Sequence, residues 1–132
     1  MAQIGNFGKL IVFETSDKKI LNFNEFQKTV SGNWAKHDRV GKKPLSEFLG
    51  ANLQQVTFTI TLNAQHGVKP RKTIESIEKA IEKGQVENLV IGGAKVGKNK
   101  WKITQMTEAW DTVLTAGELM KATLNLTLEE YL

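Results

Sequence analysis

Residues 55–63 read Gln-Val-Thr-Phe-Thr-Ile-Thr-Leu-Asn, and this strict alternation constrains the fold more than any other stretch. Val56, Phe58, Ile60 and Leu62 take every second position, with Thr57, Thr59 and Thr61 between them. Successive side chains of a strand point to opposite faces. The segment is therefore a strand with one face on a core and the other polar but uncharged. Residues 119–128 repeat the device, with Leu124, Leu126 and Leu128 opposite Thr123, Asn125 and Thr127. The threonine faces suit either the solvent side of an antiparallel sheet or a sheet abutting another subunit.

Other segments fill in around these two. Residues 9–13, Lys-Leu-Ile-Val-Phe, predict a short strand buried on both faces, and Asp17-Lys18-Lys19 a turn. Over residues 23–35 a two-residue period puts Phe26, Val30 and Trp34 on an apolar side that Lys28 interrupts. Residues 39–44 predict a polar, kinked loop, with Gly41 free to take positive φ and Pro44 at an element boundary. Over residues 70–83, Ile74, Ile77 and Ile81 share a stripe at helical spacing, while Glu75, Glu78, Lys79 and Glu82 lie mostly outside it. Pro70 suits the first helical position and Gly84 the stop. Residues 89–91 predict a strand ending in Gly92-Gly93. Residues 100–110 predict another, with a bulge or twist between the Trp101/Ile103 side and the Met106/Trp110 side. Residues 115–118 predict a turn. Strands, one helix and further strands make an α+β domain over 1–132, mainly antiparallel, with the helix packed on a sandwich or barrel.

Composition limits the chemistry. The 132 residues include no cysteine, so disulfides, thiolate zinc sites and a cysteine nucleophile are excluded. Hydrophobic residues make up 40% and charged residues 24%, a globular balance that leaves packing and hydrogen bonds to hold the fold. No run approaches the ~18 apolar residues that would suggest a membrane helix. Met1-Ala2-Gln3 leads directly into a strand-like run, so synthesis in a cytoplasm without classical export is expected. The net charge of +4 favours an acidic surface without demanding nucleic acid.

Three constellations resemble chemistry. Residues 92–99, Gly-Gly-Ala-Lys-Val-Gly-Lys-Asn, approach a phosphate-binding loop, but Asn99 stands where Ser or Thr would ligate magnesium. The residues that follow alternate like a strand instead of opening a helix, so a glycine-rich hairpin turn is expected. His37 and His66 each lack a second histidine at ligand spacing, and no buried acid pair can be read. Lys95, Lys98, Lys100 and Lys102 bracket Trp101 and could contact single-stranded nucleic acid. A strand would instead turn Trp101 into the core and the alternating lysines outward, and that reading is preferred. No cofactor, metal site or small-molecule substrate is expected.

Several segments taken together resemble the GpU family of contractile-phage tail proteins. Ile4-Gly5-Asn6-Phe7-Gly8 followed by Ile11-Val12-Phe13-Glu14 is similar to that family's opening strand. Residues 34–44, Trp-Ala-Lys-His-Asp-Arg-Val-Gly-Lys-Lys-Pro, resemble its characteristic loop, running on through Leu45-Ser46-Glu47-Phe48-Leu49-Gly50 into Val56-Thr57-Phe58. The helix, Trp101-Lys102-Ile103-Thr104 and the closing leucine strand also fit. The resemblance implies a tail-tube-like fold, no catalytic residue, and a homohexameric ring. That ring would join tail tube protein, baseplate hub and tape measure protein, or cap the head-proximal end of the tail. It further implies assembly in the bacterial cytoplasm into a virion or tail-like particle, no membrane, and nucleic acid only as DNA passing through the lumen. The residues expected to touch neighbouring subunits are Trp34, His37, Arg39, Lys43, Glu47, Phe48, Lys95 and Lys98.

Overall fold

A computed structural model describes residues 2–15, 20–114 and 117–132. In chain order the elements are β1 (Ala2–Phe7), β2 (Ile11–Thr15), β3 (Ile20–Leu21), β4 (Phe23–Thr29), β5 (Gly32–Arg39), β6 (Lys42–Ala51) and β7 (Gln55–Asn63), then a 3-10 turn (Ala64–His66) and the α-helix α1 (Pro70–Lys83). They continue with β8 (Val86–Glu87), β9 (Leu89–Ile91), β10 (Ala94–Lys95), β11 (Lys100–Val113) and β12 (Leu119–Tyr131). Neighbouring strands pair antiparallel throughout. One sheet has the order β10-β9-β1-β2-β3, a second β4-β7-β12-β11-β8, and β5 pairs with β6 alone. This is the mainly antiparallel α+β architecture that the sequence predicts.

The two alternating segments sit side by side at the centre. β7 and β12 pair in a register that sets Leu62 against Ala122, Ile60 against Leu124, Phe58 against Leu126 and Val56 against Leu128. All eight are buried. Burying a side chain of this size contributes about 1.5–3 kcal/mol against exposure, so this register is strongly preferred. A one-residue slip would turn every leucine outward. Opposite them, Phe13 of β2 meets Phe58 edge-on at 5.8 Å and Phe23 at 5.0 Å, so one ring joins the two five-stranded sheets through two aromatic contacts.

The helix closes the same core. Ile74, Ile77 and Ala80 are buried, with Ile81 packed at the margin, and α1 lies against β11 and β12. It starts at Pro70 and stops at Gly84, whose φ of 70° lets its N–H reach back to the carbonyls of Ala80 and Ile81. The bulge expected in β11 lies between Ile103 and Gln105. It shifts the inward side from Trp101 and Ile103 to Met106.

Two expectations change. Residues 23–35 form two strands, and the apolar side does not stay buried: Phe26 is half-buried, but Val30 and Trp34 are exposed. The chain leaves the sheets after Thr29, so the same periodicity continues with no layer to cover it. Residues 34–44 are not a loop but most of a hairpin, turning at Val40-Gly41. Pro44 lies inside β6, at the register shift between His37 and Arg39 where the ladder is already interrupted and its missing N–H costs little. The turn expected at residues 17–19 lies outside the described residues, as do Thr115 and Ala116 of the 115–118 turn. Gly117 of that turn has φ of 83°.

Candidate subunit-contact site

The β5–β6 hairpin is the part of the chain that its own core does not explain. Its strands are 8 and 10 residues long, so it extends about 30 Å. Nearly every one of its side chains is exposed. A two-stranded ribbon with no layer behind it is marginal in water. Yet this one carries a large apolar load: Trp34 is 59% exposed, Phe48 55%, and Leu45 and Leu49 are similar. Among the described residues, no other strand joins either of its edges.

Local features make the hairpin well formed. Gly41 turns it with φ of 69°. Trp34 pairs with Phe48 across the ladder, their rings 5.0 Å apart and tilted by 59°. Gly32 lies beneath this pair, since a Cβ there would stand 3.0 Å from Trp34 Nε1 and 3.1 Å from Phe48 Cε1. Further along, His37 Nε2 lies 3.1 Å from Glu47 Oε2, and Arg39 Nε donates to the Lys43 carbonyl at 3.0 Å across the turn. The structure therefore gathers Trp34, His37, Arg39, Lys43, Glu47 and Phe48 onto one protruding ribbon.

The root of the ribbon is tied down. Asn52 donates from its backbone N–H to the Ser31 carbonyl and from Nδ2 to Ser31 Oγ, both at 3.1 Å, closing the neck. Glu130 of β12 accepts from Gln54 N at 3.1 Å through Oε1 and from Asn99 Nδ2 at 2.7 Å through Oε2. The Asn99 hydrogen bond, then that of Gln54, hold the Glu130 carboxyl below the usual glutamate range. The neck, β12 and the loop before β11 are thus joined at one carboxylate.

Lys95 and Lys98 are not on the hairpin. Lys95 belongs to β10, the outermost strand of the other sheet, and Lys98 is exposed in the loop that Asn99 connects to the neck. Gly92 and Gly93, with φ of 63° and 80°, form the two-residue turn between β9 and β10. Lys100 then begins a strand and not a helix, so the phosphate-loop reading falls. Trp101 is fully buried and donates Nε1–H to the Val96 carbonyl at 2.7 Å. Its ring cannot stack on a base, which removes the platform a nucleic-acid reading needs.

His37 sits on strand β5, while the His66 side chain lies outside the described residues. Among the described residues, no group of three His, Cys, Asp or Glu is placed to hold a metal ion. No helix there is long and apolar enough to cross a membrane.

The sequence pointed to this region but not to its form. The exposed Leu45 and Leu53 and the Glu130 clamp escaped sequence reasoning. One signal was available: Trp34 and Phe48 lie almost symmetrically about Val40-Gly41, the mark of a cross-strand pair around a turn.

Comparison with protein-family models matches residues 10–132 to the family described as Phage P2 GpU, which takes in the hairpin, the helix and both central strands. No curated protein sequence matches the chain.

Proposed function

This chain belongs to the Phage P2 GpU family, a family of phage tail structural proteins and hence of virion components, and from that premise we propose that it forms a ring in a contractile tail. The ring is a homohexamer with a tail-tube-like fold, the whole chain acting as one domain. It sits where the tail tube meets the baseplate hub, close to the tape measure protein. Assembly takes place in the bacterial cytoplasm. The role requires no catalysis, cofactor, membrane or small-molecule substrate, and meets nucleic acid only as the DNA in its lumen.

One observation carries this reading: a well-formed hairpin presents paired aromatic and aliphatic side chains to water, and among the described residues no layer covers them. Apolar clusters of this kind on a protruding element are interaction surfaces. Desolvated aromatic anchors dominate interface energies. The second sheet supports a ring in another way. Its β4 border is open, and beyond Lys102 no described strand pairs with the outer edge of β11. Two open edges on opposite borders of one sheet suit head-to-tail contacts that close on themselves.

The test is co-expression with tail tube, hub and tape measure proteins, comparing the natural chain with Trp34→Ala/Phe48→Ala. The natural chain is expected to co-purify with the hub and tape measure and to show rings in negative stain. The variant should keep its unfolding midpoint and lose at least roughly tenfold in incorporation, since losing an aromatic anchor costs about 2 kcal/mol or more. Normal incorporation of the variant would overturn the hairpin assignment. Co-purification with head-proximal proteins alone would move the ring to the terminator position.

A further inference from the structure

The hairpin tip and a cleft on the far border of the second sheet are chemical complements. At the tip, Val40 is fully exposed and lies between Arg39 on one side and Lys42 and Lys43 on the other, with Asp38 the acid nearby. A valine held open to water between cations is a poor solvent surface. It makes a good plug for an apolar pocket with an acidic rim.

Such a pocket lies between α1 and β11. It is a surface cleft of about 380 Å³, with Ile81 and Met106 half-buried against the core and Glu78, Glu82 and Glu108 around them. Glu75 adds a fourth carboxylate on the same helix. Among the described residues, none of the four is in an ion pair. Desolvation first, then a hydrogen bond to Glu108 and the charges of Glu108, Glu82 and Glu75, push the Glu78 carboxyl up. These carboxylates repel one another in the free chain, and a neighbouring cation would relieve them.

The topology decides which copy supplies the cation. The hairpin grows from the end of β4 and returns into β7, so it is rooted on the β4 border of the sheet. The cleft lies on the β11 side, beyond β7 and β12. Two complementary surfaces on opposite flanks of one molecule join copies head to tail, which generates a ring where the rotation closes.

We propose that the hairpin tip of one copy docks in the α1–β11 cleft of the next, Val40 on Ile81 and Met106, with Arg39, Lys42 and Lys43 among the rim glutamates. This rests on the ring reading above and names its contact. Charge complementarity of this kind fixes partner and register more than raw affinity.

The chain has no cysteine, so two engineered thiols are the only ones present. Val40→Cys/Gln105→Cys places one at the tip and one at the cleft, and Val40→Cys/Thr59→Cys moves the second to the threonine face. Each full-length chain is treated with a short bifunctional maleimide, both purified and in tail particles, with light scattering on the same samples. A ladder longer than dimers is expected for the cleft pair and not for the threonine-face pair. Arg39→Glu should weaken the ladder by roughly tenfold, and Arg39→Glu/Glu78→Lys should restore it. Oligomers that form without a cleft ladder, or that crosslink better through Thr59, overturn this contact and leave the ring standing. If neither the purified chain nor the particles show oligomers, the ring reading fails and the docking with it.

Discussion

A few positions admit very little change, each for a geometric reason. Gly5 of β1 is one, because a Cβ there would run into the Val90 carbonyl oxygen of the paired strand β9. That obstacle is backbone and cannot rotate away. Gly5→Ala should force the strands apart and cost about 1–3 kcal/mol, as overpacking typically does, and chemical denaturation would measure it. Glu130 makes a different prediction. Its folded pKa is depressed, so its contribution to stability is present above the unfolded glutamate pKa and is lost as pH falls through the folded value. Glu130→Gln should therefore be less stable than the natural chain near pH 7. The two should converge at a pH well below about 4.3, the ordinary glutamate value. A difference that persists unchanged into acid would show that the clamp does not depend on charge.

The hairpin is an element that the fold does not need. None of the buried core residues comes from β5 or β6; the core passes from Leu21 to Val56. Its neck is closed by Ser31 and Asn52, which already hold the chain ends together. Replacing residues 32–51 with an Asn-Gly turn should thus leave the unfolding midpoint within about 5 °C of the natural chain, the shift that about 1 kcal/mol produces in a domain of this size. A drop of tens of degrees would mean that the ribbon supports the core after all. Sheet elements behave in the opposite way, since β7 and β12 supply eight mutually paired buried side chains.

At the scale of the whole molecule, core and assembly surface are separated. Two sheets and one helix bury a continuous cluster, while Trp34, Val40, Leu45, Phe48 and Leu49 lie exposed together on a ribbon outside it. Such a division lets a subunit fold before it meets its neighbours. The loss of incorporation expected for Trp34→Ala/Phe48→Ala belongs at this scale, because it should appear in particles and not in the melting of the isolated chain. The crosslinking ladder belongs here too, since repeated head-to-tail contacts, unlike an isologous pair, yield products longer than dimers.

Much of this was legible in the residues. Strict alternation located β7 to its ends, and the isoleucine stripe with Pro70 and Gly84 did the same for α1, because local periodicity is set by the geometry of one element. The burial of Trp101 and the Gly92-Gly93 turn followed from the same reasoning. Of the eight residues expected to touch neighbouring subunits, the fold sets six on one hairpin and leaves Lys95 and Lys98 elsewhere. Pairing was a different matter. Val30 and Trp34 carry the same alternation as Phe26, and nothing in a strand's own sequence says whether a second layer lies above it. Only the tertiary structure decided that the chain leaves the core after Thr29, because burial depends on residues distant in sequence that occupy, or leave empty, the space over each face.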